Sequence, residues 1–215
     1  MDYETLLFDI DGTLLDPGDS ITESARYALS KFDINDVPEE SLRKFVGPPL
    51  EHSFRDYYNF DDTQVEQAVS YFREKLVDDG IELYKPYEGM QELVSDLHTI
   101  GKQLAIVTSK IDTIARTVLK NADLMKYFEV ICAQRAGKTV HKDQILSEAL
   151  QKLNISDHSK VVMIGDRKHD IDAAKKCSVD SIGILHGYGS NEELTDAKAT
   201  YVLQDTASLR KLLLH

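Results

Sequence analysis

Four short, unbroken apolar runs constrain this chain most: residues 5–8, 104–107, 161–164 and 181–185, with 128–133 a weaker fifth. A strand that is apolar at every position has no wet face. Runs of this kind belong in a parallel sheet covered by helices on both sides. Helical stripes lie between them. Met90, Leu93, Leu97 and Ile100 recur at helical spacing, as do Ile145, Leu146, Ala149, Leu150 and Leu153. Asp112 is placed to cap a helix carrying Ile114, Val118 and Leu119, and Gly101 to end the helix before it. Strand and helix alternate, which predicts an α/β doubly wound, Rossmann-like core.

Residues 16–85 break that alternation. Ile21, Ala25, Ala28, Leu29 and Phe32 form one helical stripe, and Val65, Val69, Phe72 and Leu76 another, with Gly47-Pro48-Pro49 as a stop and turn between them. The expected organisation is therefore a core of residues 1–15 and 86–215, with an all-helical insert over 16–85. Pro17-Gly18 and Lys85-Pro86 are the expected hinges.

The formal net charge of the 215-residue chain is −12. Between Asp16 and Lys85 there are sixteen Asp or Glu against eight Lys or Arg. Nucleic acid and anionic membrane surfaces demand a basic face, and this balance argues against both. A small phosphorylated ligand would need local cations. Cys132 and Cys177 are the only cysteines and form no CxxC pair, so they read as reduced thiols. No stretch resembles a signal peptide or approaches the ~20 apolar residues of a membrane span. The expected location is cytoplasmic.

In open α/β sheets ligands bind at the carboxyl ends of the strands. Asp9, Asp11 and Gly12 follow the first apolar run. Thr108, Ser109 and Lys110 follow the second, and Gly165 and Asp166 follow the run at 161–164, with Asp170 four residues on. Lys142 lies just before the helix beginning near Gln144. Buried carboxylates are costly unless paired or bound to a metal. Three polar clusters converging on one sheet edge therefore point to a site.

FDIDGTL, IVTSK, the helix-opening Lys142 and MIGDRKHD resemble, in order, the four motifs of the haloacid dehalogenase superfamily of phosphohydrolases. The insert resembles the small cap of its phosphoglycolate-phosphatase-like branch. The paired DxDGT and GDxxxD motifs are specific, whereas the threonine and lysine motifs count only through their order. The resemblance implies a Mg²⁺-dependent phosphatase acting on a small phosphomonoester. Asp9 would be the nucleophile, forming an aspartyl phosphate, and Asp11 the general acid and then base. Thr108, Ser109 and Lys142 would bind the phosphoryl group. Asp9, Asp166, Asp170 and a backbone carbonyl from Asp11 would form the metal site. Lys138 competes with Lys142 for its role.

The chain departs from the family pattern in two places. Asp143 stands where proline often follows the lysine, and Arg167-Lys168-His169 fills the fourth motif, where a small hydroxyl residue is common. That basic triplet reads as an exposed loop face or as a device steering anions. Arg43, Lys44 and Arg55 are rare cations of the insert and read as solvated helix charge or as contacts to the distal end of a substrate. Gly187-Tyr188-Gly189 reads as a turn. Two other functions compete: a sugar phosphomutase on the same core, and a non-catalytic phosphometabolite-binding protein.

Overall fold

The computed structural model describes residues 3–46, 50–78, 80–135 and 140–214. Gly47-Pro48-Pro49 and Lys138 lie outside the described residues. The chain divides into two compact units, one formed by Met1–Asp16 with Pro86–His215 and the other by Pro17–Lys85.

The first unit opens with β1 (Thr5–Phe8) and the two-residue β2 (Leu15–Asp16). The inserted unit follows, with α1 (Gly18–Ser30), α2 (Glu39–Arg43), α3 (Leu50–Tyr58) and α4 (Asp62–Asp78). Its core joins the two expected stripes. Ala25, Ala28 and Leu29 of α1 and Val65, Val69 and Phe72 of α4 are buried in one cluster with Leu42, Phe45, Phe54 and Phe60. Aromatic rings fill the centre, with Phe45 and Phe54 centroids 4.9 Å apart and Phe32 and Phe60 4.6 Å apart. Arg43 pairs with Glu39 at 3.6 Å and Arg55 with Asp62 at 2.6 Å, so both cations serve acidic neighbours of their own unit. Lys44 is exposed.

After β3 (Lys85–Pro86) the first unit resumes. It runs α5 (Met90–Thr99), β4 (Gln103–Ile111), α6 (Asp112–Asn121), β5 (Val130–Gln134), α7 (Lys142–Lys152), β6 (Val161–Gly165) and α8 (Lys168–Lys176). It ends with β7 (Asp180–Ile184), α9 (Asn191–Asp196), β8 (Tyr201–Leu203) and α10 (Thr206–Leu214). Six strands form one sheet in the order β5-β4-β1-β6-β7-β8. The pairings of β1 with β4 and β6, of β4 with β5, and of β7 with β6 and β8 are all parallel.

Side chains alternate across this sheet. Leu7, Ala105, Val107, Val161 and Met163 share one cluster with Ile145, Leu146, Ala149 and Leu150 of α7 and Ala173 and Ala174 of α8. The intervening Leu6, Phe8, Leu104, Ile106, Val162 and Ile164 are buried as well, by the same alternation on the opposite face. Both faces are thus dry, as the unbroken apolar runs require. The chain reverses direction of growth at β1, between β4 and β6. That is the position at which doubly wound sheets open a crevice at their strand ends.

Two local expectations need correction, and one strand had no counterpart among the apolar runs. Ile100 is not part of the buried stripe: it is 56 % exposed, just beyond α5, where Gly101 adopts φ +81° and ends the helix. Asp112 is the first residue of α6 rather than its cap, and its carboxylate accepts from Arg116 Nε at 2.9 Å, one turn on. β8 lay below the threshold of the apolar runs, because three half-buried edge residues leave too short a pattern. Among the described residues no helix is long and apolar enough to cross a membrane.

Candidate active site

The backbone after β1 explains the DxD spacing. Asp9 continues the strand, its N–H donating to the carbonyl of Ile164 at 3.0 Å. Ile10 points the other way and is fully buried, so Asp9 and Asp11 share a side. The chain then turns sharply. The Ile10 carbonyl accepts the N–H groups of Thr13, Leu14 and Leu15 at 2.9–3.2 Å. Gly12 makes this turn at φ +75°, and a Cβ there would lie 2.1 Å from Asp166 Oδ2. Glycine is required both for the conformation and for the close approach.

Asp166 follows β6 and is buried, as is Asp170 on the first turn of α8. Ligand oxygens of Asp9, Asp166 and Asp170 lie within 4.8 Å of one another. Lys142, the first residue of α7, reaches into this cluster. Its Nζ pairs with Asp9 Oδ2 at 2.8 Å and with Asp170 Oδ1, and its side chain is only 8 % exposed. Burial opposes the charge on Lys142, but Asp170 and Asp9 outweigh it and hold the pKa above the ordinary lysine value. The other Asp170 oxygen accepts the Arg167 N–H at 3.1 Å, so Asp170 also fastens the start of α8.

On the second side of the carboxylate pair stands Lys110, whose Nζ lies 2.8 Å from Asp11 Oδ2. The register of β4 against β5 breaks between Val107 and Ile111. Irregularities of that kind re-aim side chains at strand ends. Here Thr108 is buried and accepts the Lys110 N–H at 3.3 Å, Ser109 is exposed and outside the buried cluster, and the Lys110 side chain turns inward. Lys110 stood in the IVTSK run but had no expected role. Its residue type beside a strand-end threonine was the available clue.

Gly187-Tyr188-Gly189 is more than a turn. The Tyr188 N–H donates to Asp166 Oδ2 at 2.8 Å, and a Cβ on Gly187 would fall 2.2 Å from the Gly12 carbonyl and 2.5 Å from Asp166. The basic triplet divides: Arg167 Nε binds Glu193 at 2.9 Å, while Lys168 and His169 are exposed.

The electrostatics favour a cation. Four carboxylates (Asp9, Asp11, Asp166 and Asp170) face two ammonium groups. Buried oxygens Asp9 Oδ1 and Asp166 Oδ1 have no hydrogen-bond partner. Burial, the charge of Asp170 and that of Asp9 raise the Asp166 pKa to about 8, against the Tyr188 N–H and Lys142. Burial likewise raises Asp170, opposed by Lys142, and raises Asp11, opposed by Lys110. Unpartnered buried carboxylate oxygens in an all-oxygen donor set suit a hard divalent ion such as Mg²⁺. Its two charges would balance the excess.

Comparison with known proteins agrees with this arrangement. The haloacid dehalogenase-like hydrolase family matches residues 6–184. A 5'-nucleotidase of Pseudomonas aeruginosa is 33% identical over 213 residues, covering 98% of this chain and 96% of its own length. Tyrosine-protein kinase PtkA of Mycobacterium tuberculosis is 32% identical over 211 residues, covering 97% of this chain and 71% of its own. A crystal structure from Clostridium difficile described as that of a phosphatase superposes with a TM-score of 0.96 at 42% identity, covering 99% of each chain. With its parallel sheet, its four ordered motifs and its buried aspartate cluster, the chain belongs to the haloacid dehalogenase-like hydrolases, as a phosphatase of that family.

Proposed function

We propose that this enzyme hydrolyses a small phosphomonoester in two steps through Asp9, with Mg²⁺ bound. The observation that carries the reading is the Asp9 environment. One oxygen is held by Lys142 at 2.8 Å, and the other is buried without a partner. A carboxylate so fixed is oriented for attack on phosphorus.

Asp9 attacks the phosphorus and takes the phosphoryl group, while the ester oxygen leaves. Asp11 gives that oxygen a proton, then removes one from the water that attacks the aspartyl phosphate, releasing phosphate and restoring Asp9. Lys110 orients Asp11 between these tasks. The Thr108 hydroxyl, the Ser109 backbone and Lys142 bind the equatorial phosphoryl oxygens. Asp9, Asp166 and the Asp11 carbonyl would hold Mg²⁺, with Asp170 supporting them through Lys142. When bound, the ion supplies charge neutralisation for the phosphoryl group and its attacking carboxylate. The inserted helical unit acts as the cap that selects the leaving group.

A nucleoside 5'-monophosphate is the first substrate class to test, because the Pseudomonas relative bears the name 5'-nucleotidase. Phosphate release from nucleoside monophosphates, sugar phosphates and a generic aryl phosphate is measured with Mg²⁺ and with EDTA. Wild type releases phosphate only with Mg²⁺, and Asp9→Asn falls by at least about 10³-fold in kcat. Equal release by Asp9→Asn would sink the nucleophile assignment. An isomerised sugar phosphate in place of free phosphate would move the enzyme to the phosphomutases.

A further inference from the structure

Tyr188 touches two places in the core at once. Its N–H holds Asp166 Oδ2 at 2.8 Å, which leaves Asp166 Oδ1 as the unpartnered oxygen beside Asp9. Its hydroxyl donates to Asp16 Oδ1. Asp16 is the last core residue before the insert, and Tyr87 stands one residue after the chain re-enters the core at Pro86. Tyr87 in turn stacks on His186, with centroids 3.9 Å apart and planes at 18°. The His186 Nε2–H donates to the Thr13 carbonyl at 3.0 Å, within the turn that carries Asp11 and Gly12.

His186 and Ser190 anchor the two ends of the loop, through the Thr13 carbonyl and the Glu193 N–H. Gly187 and Gly189 flank Tyr188; Gly187 lies against Gly12 and Asp166, and Gly189 against the Asp166 backbone, neither with a side chain to anchor it. Between those ends Tyr188 is the one residue of the segment with a side chain beyond the backbone. Its side chain is fastened at Asp16, where the core hands the chain to the insert.

We infer that Tyr188 is a positioning residue for the metal site: its hydroxyl, held by Asp16, fixes the loop whose N–H orients Asp166. The metal site and the crossing point at Asp16 are thereby joined by hydrogen bonds through one residue. Outer partners that orient a metal ligand are worth about 10–100-fold in metal affinity. This inference rests on the reading of Asp166 as a Mg²⁺ ligand.

Mg²⁺ titration by isothermal calorimetry on the intact chain tests it, with the Tm of each variant in EDTA as a second readout. Wild type binds Mg²⁺ and Asp166→Asn does not. Should wild type fail to bind, or Asp166→Asn bind as well, the metal reading falls and this inference with it. Given that baseline, Tyr188→Phe keeps the ring and the N–H but loses the hydroxyl, and it weakens Mg²⁺ binding about 10-fold or more. Asp16→Ala gives a similar loss, and the double variant is less than about twofold worse than either, because both break one linkage. A Tyr188→Phe protein with a lowered Tm and wild-type Mg²⁺ affinity would show a merely structural hydroxyl and overturn the inference. Additive losses in the double variant would overturn the route through Asp16.

Discussion

A lysine on the first turn of a helix opposes the helix dipole, a local cost of a few tenths of a kcal/mol. Lys142 is tolerated there because Asp9 and Asp170 both accept from its Nζ, in a place where Asp170 is buried and Asp9 nearly so. Removing one partner of a buried ion pair strands the other's charge, a loss of about 3–5 kcal/mol. Lys142→Met should therefore lower stability by about that amount in urea denaturation with EDTA present, besides abolishing turnover. An unchanged urea midpoint would mean that Asp9 and Asp170 need no counter-charge, against the geometry described. The residue type and its place at a helix start were legible in the chain, although α7 begins at Lys142 itself rather than near Gln144. Its two partners were not, because Asp9 and Asp170 lie 133 and 28 positions away in sequence and only the parallel crossovers bring them to one edge.

At the scale of elements, strands buried on both faces announced themselves by continuous apolar runs, and helices by their stripes. The ends were less legible. The register of β4 against β5 shifts between Val107 and Ile111, which no local pattern announces; at this end Thr108 is buried, Ser109 exposed and Lys110 paired with Asp11. The inserted unit shows the same division. Its stripes on α1 and α4 follow from periodicity, but the aromatic packing of Phe45, Phe54 and Phe60 joins α3 to segments of no clear period. Phe54 is fully buried there, so Phe54→Ala should cost about 3–5 kcal/mol of that unit's stability. Val77, on the same unit's α4, is 56 % exposed, and Val77→Ala should stay within about 0.5 kcal/mol. Chemical denaturation followed by a probe in the helical unit compares the two. Equal costs would contradict the assignment of Phe54 to its core.

For the whole molecule, the charge excess at the site makes stability depend on pH and on metal together. In the metal-free protein burial raises the Asp166 pKa from 3.8 to about 8. Between those values the folded chain holds a proton that the unfolded chain has released. The Asp166 contribution to stability is therefore complete below about pH 4 and declines as pH rises toward 8, by at most about 1.4 kcal/mol per unit. In EDTA the wild-type Tm should fall relative to Asp166→Asn across that window. Added Mg²⁺ should restore it increasingly as pH rises, reaching about 2.7 kcal/mol of stabilisation at 100 times its Kd. A wild-type Tm parallel to that of Asp166→Asn, or a Mg²⁺ effect that shrinks with pH, would contradict the linkage. The order of the motifs along the chain, the doubly wound class and the candidate carboxylates were legible in the sequence alone, because apolar periodicity and residue chemistry are local properties. The tertiary structure decided that Lys110 faces Asp11, that Tyr188 holds Asp166, and that Gly12 and Gly187 leave room for that carboxylate. Each of these is a contact between segments far apart in the chain, and distance in space is set by packing rather than by pattern.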